Sequence, residues 1–302
     1  MMRSFGKITV VGVGLIGGSF ALALKKAGVV EQVTGLGRGG AALSRALELG
    51  IIDRIPASMA DAVDGADLIL LATPVAQTGA ILASIAPYLQ TATVVTDAGS
   101  TKTDVVAAAR IALGDKIAQF VPGHPIAGRE ANGPDSAVAG LYVGKKVVLT
   151  PLPENTPATI ATVAAAWAAC GAIDHRLSWE QHDRIFAAVS HLPHLLAYAL
   201  VDQIDHAPHA DLLFAYAASG FRDFTRIAGS SPEMWRDIAL ANRSALLSEL
   251  DLYGEQLANL RRMLAASDGA GLQTIFGNAQ RARQAWQAAI EAAERQPGTG
   301  GD

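Results

Sequence analysis

Cysteine is nearly absent: the 302 residues hold one, Cys170, set in an apolar helical run. A lone cysteine closes no internal disulfide and reads as packing in a reducing compartment rather than as a nucleophile, so a cytoplasmic location is expected. Charge is scarce as well. Asp, Glu, Lys and Arg make up 17% of the chain, the formal net charge is −4, and no dense Lys/Arg run occurs. Nucleic acid and anionic membrane surfaces are thereby disfavoured as main partners, and any anion must be met locally. No uncharged apolar run approaches the roughly 20 residues that span a bilayer, and the glycine-rich apolar N-terminus is too short for a signal or membrane helix. No metal ion is expected. What is abundant is apolar residues, 50% of the chain and many of them alanine. That excludes disorder and points to Ala-rich helices around a compact sheet.

The chain opens with a short β-branched strand, Lys7 to Val11, followed at once by Gly12-Val13-Gly14-Leu15-Ile16-Gly17-Gly18 and a helical pattern to about Ala27. The spacing Gly12-x-Gly14-x-x-Gly17 has a mechanism: a tight turn at the first glycine, backbone approach to a pyrophosphate at the second, close helix–strand packing at the third. Leu15 and Ile16 then open the helix whose N-terminus faces the phosphates. A bound dinucleotide is expected, the alternative being a purely structural turn. The next strand, Gln32 to Leu36, ends at Gly37-Arg38, where NAD-selective enzymes usually place a carboxylate for the ribose 2′-hydroxyl. Without that carboxylate a 2′-phosphate is not repelled, and Arg38 could pair with it. This favours NADP, with a relaxed site accepting NAD as well as the alternative.

Further apolar strands are expected at Asp67 to Ala72, which stops at Thr73-Pro74; at Thr93 to Thr96, which leads into Asp97-Ala98-Gly99-Ser100-Thr101-Lys102; at Ile117 to Val121; and at Lys146 to Thr150. Ser100 can cap the helix that follows it. A helix around Ala158 to Cys170 and a short strand near Ala172 to His175 close this half. The alternation of strand and helix predicts an α/β, Rossmann-like, doubly wound parallel sheet.

After about Leu177 strands vanish. Ser178 with Gln181 makes a capping box for a helix running toward Asp205, which Pro193 should kink, with His191 and His194 on one face. One or both imidazoles could be plain core or surface residues; His194 is favoured as the functional one. Arg222 and Arg226 sit four apart after a glycine break, suited to a carboxylate ligand or to a pair with Asp223. Leu246, Leu250, Tyr253, Leu257, Leu260 and Leu264 form a seam of coiled-coil period, whose partner is the helix from about Leu272 to Ala293, a second subunit, or both. Arg295 to Asp302 reads as a frayed tail.

Phe120 to Glu130 (FVPGHPIAGRE) places an imidazole, a guanidinium and a carboxylate among Gly123, Pro125 and Gly128, which impose an irregular backbone. Behind an apolar strand, His124 should emerge where open α/β sheets gather their ligands; the alternative is a turn with solvated polar groups.

Taken in order, VGVGLIGGSFALALKKAG, DAGSTK, GHPIAGRE, SHLPHLLAYAL and SGFRDFTRIAGSSPEMW resemble the prephenate/arogenate dehydrogenases of tyrosine biosynthesis, over roughly Ile8 to Arg243. The resemblance implies a dinucleotide-binding domain (1–177), an all-α substrate and dimerisation domain (178–295) and a disordered tail (296–302), with the site in the cleft between the domains. It implies oxidative decarboxylation of prephenate to 4-hydroxyphenylpyruvate, or of arogenate, with hydride transfer to a nicotinamide dinucleotide, by a monofunctional homodimer. His124 would then accept the ring hydroxyl proton and Ser100 would orient it, Glu130 would sit at the site edge, and His194 and Arg226 would bind substrate carboxylate. Gly12, Gly14 and Gly17 would meet the pyrophosphate, Thr73 and Pro74 the nicotinamide ribose, and Arg38 the adenosine ribose. A β-hydroxyacid dehydrogenase, the nearest enzymatic rival, needs a helical lysine, and none follows Lys146. A dinucleotide sensor without catalysis is the remaining rival, and it would have no use for His124 beside Ser100.

Overall fold

The computed structural model describes residues 4–129 and 131–295; Glu130 and the tail expected after Arg295 lie outside the described residues. Five parallel strands, β1 (Phe5–Val11), β2 (Val30–Leu36), β3 (Leu68–Leu71), β4 (Val94–Asp97) and β5 (Phe120–Val121), form a sheet in the order β2-β1-β3-β4-β5. Helices α1 (Leu15–Lys26), α2 (Gly40–Glu48), α3 (Met59–Val63), α4 (Thr78–Ile85) and α5 (Thr103–Leu113) connect them. Both faces are covered. On β3, Leu68 and Leu70 enter one apolar core while Ile69 and Leu71 enter the other, which is why the strand reads as an unbroken apolar run.

The strand expected at Ile117 to Val121 is mostly something else. Gly114, at φ 51, ends α5, and Gly114–Gln119 wind as a 3-10 turn, leaving two residues of β5 before Pro122, which has no N–H to continue a ladder. An apolar run alone could not show this. His124 therefore does not end a parallel strand. It lies within β6 (Gly123–Pro125), the edge of a separate sheet in the order β6-β7-β8, with β7 (Lys146–Leu149) antiparallel to β6 and parallel to β8 (Ile173–Arg176). Pairing of His124 with Val148 fixes its register.

α6 (Pro157–Ala169) packs back on the sheet. The helical half follows: α7 (Trp179–Phe186), a π turn (Ala187–His191), α8 (Leu192–Asp205), α9 (Ala210–Ala215), α10 (Ser219–Thr225) and α11 (Pro232–Ala241). The capping box forms as expected, with Ser178 Oγ accepting from Gln181 N and Gln181 Oε1 from Ser178 N. A π turn, rather than a simple kink, precedes Pro193, and its wider winding accommodates a residue that cannot donate to the helical ladder.

The expectation that no run approaches bilayer length fails at one helix. The stretch Trp179–Asp205, 27 residues with a mean hydropathy of 1.4 over its best window, is by length and composition long and apolar enough to cross a membrane. Between Arg184 and Asp202 its histidines, serine and proline are uncharged and leave an unbroken uncharged run, Ile185 to Val201. It nonetheless carries a buried imidazole and a buried carboxylate, His182 and Asp183, near its start.

The chain divides into two compact units, Met1–Leu246 and Leu247–Asp302. The second contains most of α12 (Arg243–Ala265) and all of α13 (Gly269–Arg295). On these helices Leu257, Leu264, Phe276 and Trp286 are exposed.

In the first unit, α1 is held by packing of a kind sensitive to volume. Trp167 of α6 is fully buried, its ring 4.7 Å from Phe20 and 5.1 Å from Tyr142, and the Tyr142 hydroxyl donates to the Ile16 carbonyl at 2.6 Å. Cys170 is buried beside it, its thiol pushed up by burial, as suits a packing residue. The Trp167 indole N–H has no partner among the described residues. Trp167→Ala should therefore cost about 3–5 kcal/mol in denaturant unfolding, whereas Trp167→Phe, which also removes the orphaned donor, should cost less than half as much.

Candidate active site

The glycine turn sits where the strand order reverses, between β1 and β3, and its three glycines do different things. A Cβ on Gly12, whose φ is 94, would lie 2.5 Å from the Ala72 carbonyl oxygen and 3.0 Å from Thr73, so the turn after β1 abuts the end of β3. A Cβ on Gly17 would lie 2.1 Å from the Gly12 carbonyl oxygen, which is close helix–strand packing. Gly14 faces open space within 4 Å. Among the described residues, no side chain caps the N-terminus of α1, its first turn has no acidic residue, and the Thr73 hydroxyl beside it is buried without a partner. Free N–H groups at Leu15 and Ile16, room above Gly14 and an orphaned hydroxyl suit a dinucleotide pyrophosphate and ribose. Pro74 follows Thr73 and is exposed; Gly37 and Arg38, just past β2, are exposed too, with no carboxylate at either position.

Two carboxylates, from opposite halves of the chain, assemble the rest. Asp97 ends β4 and is buried, its Oδ2 accepting from Gly99 N at 2.8 Å and pairing with the Lys102 ammonium at 2.5 Å, its Oδ1 accepting from Gly123 N at 3.0 Å. Each of those glycines immediately precedes a sequence-predicted site residue, so one side chain sets the origin of both Ser100 and His124. Asp183, on α7, reaches the start of α5, where its Oδ1 accepts from Lys102 N at 2.9 Å and its Oδ2 from Thr103 N at 2.7 Å. That is the cap expected of Ser100, supplied instead from 80 residues away.

Asp183 also bonds His182: Oδ1 is 2.8 Å from His182 Nδ1, and His182 Nε2 is 2.9 Å from His124 Nδ1. Phe186 lies against both rings, with centroids 4.5 Å from His182 and 4.9 Å from His124. His191 is buried and its Nδ1 is 3.0 Å from Asn242 Nδ2, which also donates to the Asp183 carbonyl at 2.8 Å. His194, one turn on, is only partly buried; its Nδ1 donates to the Ser190 carbonyl at 2.9 Å and its ring stacks on Trp235 at 3.5 Å. Arg226 begins a 3-10 turn after α10, and its charge lowers the His194 pKa. Thus His194 and Arg226 neighbour each other, and His124 is joined to the helical residues through His182. Sequence reasoning missed His182, Asp183, Asp97, Lys102 and Asn242. The signal for the first two was a His–Asp pair just ahead of an apolar helical run, one turn before Phe186.

Burial dominates the electrostatics. It pushes His124 well below the usual imidazole range, with His182, Lys102 and His191 acting the same way. His182 and His194 are also lowered, chiefly by burial, and His191 is taken down to about 4. Burial would raise the Asp183 carboxyl, but hydrogen bonds from His182, Thr103 and Lys102 outweigh it and hold the group below its ordinary value.

A glycine turn at the reversal of a parallel sheet defines a Rossmann-type dinucleotide-binding protein, and the imidazoles gathered beyond the end of β4 give it the acid–base groups of an oxidoreductase. Comparison with known proteins narrows the class. Residues 20–174 match the family profile "Prephenate dehydrogenase, nucleotide-binding domain", and residues 178–278 match "Prephenate dehydrogenase, dimerization domain". The chain is 37% identical over 286 residues to the cyclohexadienyl dehydrogenase of Zymomonas mobilis, covering 94% of this chain and 97% of that protein. Among solved structures, prephenate dehydrogenase from Aquifex aeolicus in complex with hydroxyphenyl propionate and NAD+ superposes with a TM-score of 0.88 at 36% identity, covering 94% and 99% of the two chains. Arogenate dehydrogenase of Synechocystis gives a TM-score of 0.79 at 30% identity, covering 93% and 99%. The chain belongs to the prephenate dehydrogenase family.

The depressed imidazoles make stability depend on pH. In the unfolded chain these groups take up protons near pH 6.5, the native state only lower down, so their contribution is complete above about pH 6.5 and is lost as the pH falls. The melting temperature should drop steadily between about pH 6.5 and about pH 4, and His191→Phe should flatten part of that slope.

Proposed function

We propose that the chain catalyses the oxidative decarboxylation of prephenate to 4-hydroxyphenylpyruvate. One observation carries the reading: His124 is anchored through Nδ1 and kept neutral by burial, while its Nε2 has no partner among the described residues. A neutral imidazole with one open nitrogen is suited to accept the hydroxyl proton of a cyclohexadienol. When bound, a nicotinamide dinucleotide supplies the hydride-accepting ring. As the carbinol C–H leaves as hydride, the hydroxyl proton passes to His124 Nε2. The bond to the ring carboxylate then breaks, its electron pair enters the ring to make it aromatic, CO₂ departs, and the phenolate oxygen recovers the proton. Ser100, one residue beyond a glycine held by the same Asp97 carboxylate, would orient the hydroxyl. His194 and Arg226 would hold substrate carboxylate, and Glu130 would lie at the edge. The hydroxyphenyl propionate bound by the Aquifex relative is an aryl acid of the kind this reaction yields.

Arogenate, carrying an amine in place of the side-chain ketone, is the second reading, favoured by the likeness to the Zymomonas cyclohexadienyl dehydrogenase and the Synechocystis arogenate dehydrogenase. NADP is the preferred cofactor in this reading, because Gly37 offers no carboxylate and Arg38 can pair with a 2′-phosphate; NAD, bound by the Aquifex relative, is the alternative. A homodimer through the C-terminal helices would cover the exposed leucines of α12, in line with the dimerization profile matched there. The single buried cysteine fits a cytoplasmic enzyme.

Steady-state assays should show turnover with prephenate, and His124→Asn should cut kcat by roughly 10²–10⁴ while leaving dinucleotide affinity unchanged; Arg226→Ala should instead raise the substrate KM. Unaltered kcat in the first variant removes His124 from the chemistry. Crossing prephenate and arogenate with NAD and NADP sets the preferences, and Arg38→Ala should lower kcat/KM for NADP about tenfold or more while leaving NAD nearly untouched.

A further inference from the structure

A base needs its lone pair on the correct nitrogen, and the structure contains groups that decide which nitrogen that is. Asp183 accepts two backbone N–H groups, from Lys102 and Thr103, which leaves its carboxylate only acceptor capacity toward His182. His182 must then carry its proton on Nδ1, the atom 2.8 Å from Asp183 Oδ1. Being neutral, His182 has a bare Nε2, which can only accept. Across the 2.9 Å contact the donor is therefore His124 Nδ1–H, and His124 Nε2 is left bare. The opposite polarity would need a protonated Asp183 with two main-chain donors pointed at it.

We propose that Asp183 and His182 are positioning residues, an Asp–His–His relay that holds His124 as its Nδ1–H tautomer and so turns the open Nε2 lone pair toward the substrate hydroxyl. This rests on the reading of His124 as the base. The surroundings agree. Lys102, paired with Asp97, and His191, bound to Asn242, face the same cluster, and both disfavour an extra proton on His124 before substrate arrives. Phe186 covers the two rings, limiting the exchange of the His124–His182 hydrogen bond with water. Once His124 takes the hydroxyl proton, the same contacts steady the imidazolium: its Nδ1–H points at His182 Nε2, and the Asp183 carboxylate polarises His182 from behind.

Asp183→Asn reverses the relay, because an amide N–H aimed at His182 Nδ1 pushes the proton to His182 Nε2 and, in turn, to His124 Nε2. Its kcat should fall roughly 10–10³-fold with dinucleotide affinity retained, and the acid limb of its pH–kcat profile should move. His182→Gln, whose amide oxygen still accepts, should keep more activity than His182→Leu. The direct readout is nitrogen NMR of the dinucleotide-loaded protein labelled at histidine: wild type should show His124 protonated on Nδ1 and bare on Nε2, and Asp183→Asn the reverse. Should Asp183→Asn fail to fold, the wild-type spectrum and the two His182 variants still decide. A wild-type His124 carrying its proton on Nε2, or equal activity in His182→Gln and His182→Leu, overturns the relay alone. Full turnover in His124→Asn removes the base reading but leaves the tautomer measurement standing.

Discussion

The hold of one buried carboxylate on the first turn of a helix organises this site. Asp183 takes the N–H groups of Lys102 and Thr103, so the helical half is joined to the sheet half at the loop that carries Ser100. Lys102 is drawn in from its other end as well, its ammonium buried against Asp97. A buried ion pair contributes little to net stability, but losing one partner is costly, typically about 3–5 kcal/mol, because a bare charge remains. Asp97 and Asp183 are thus constrained by geometry more than by strength. Between them they fix the strand with His124, the loop with Ser100 and the helix with His182.

Local patterns carried most of the fold. The glycine turn, the apolar strands and the Ser178 capping box each owe their form to residues close in sequence, and each stands where periodicity and turn chemistry put it. The exceptions have physical causes. Ile117 to Gln119 look like strand by composition, yet Gly114 and Pro122 bracket them so tightly that only a 3-10 turn and two paired residues fit. β8 reads as a strand although all its residues are exposed, because pairing with β7 rather than burial holds it.

Within the candidate site, what sequence reasoning proposed was whatever stood out by residue type: His124, His194, Arg226, the glycines. What could not be read was the support behind them. Asp97 and Lys102 were in plain view in a motif, but their meaning lies in Gly123, and that of Asp183 lies in the main chain of α5. No local pattern encodes a carboxylate capping a helix that began many residues before it. Ser100 shows the same limit from the other side: its position before a helix suggests a cap, and the cap comes from elsewhere.

The π turn at Ala187–His191 carries a geometric implication of its own. In an unbroken α-helix each residue advances about 100° around the axis, so His191 would stand about 80° in azimuth from Asp183. Wider winding over these residues advances the chain less per step and rotates His191 back toward the bearing of Asp183. A single amide, Asn242, can then hold the main chain of one and the ring of the other. The angular phase of this helix is therefore reset between its two pairs of polar residues, and the second pair, His191 and His194, is aimed by a local unwinding that a regular rod of the same sequence length would not supply.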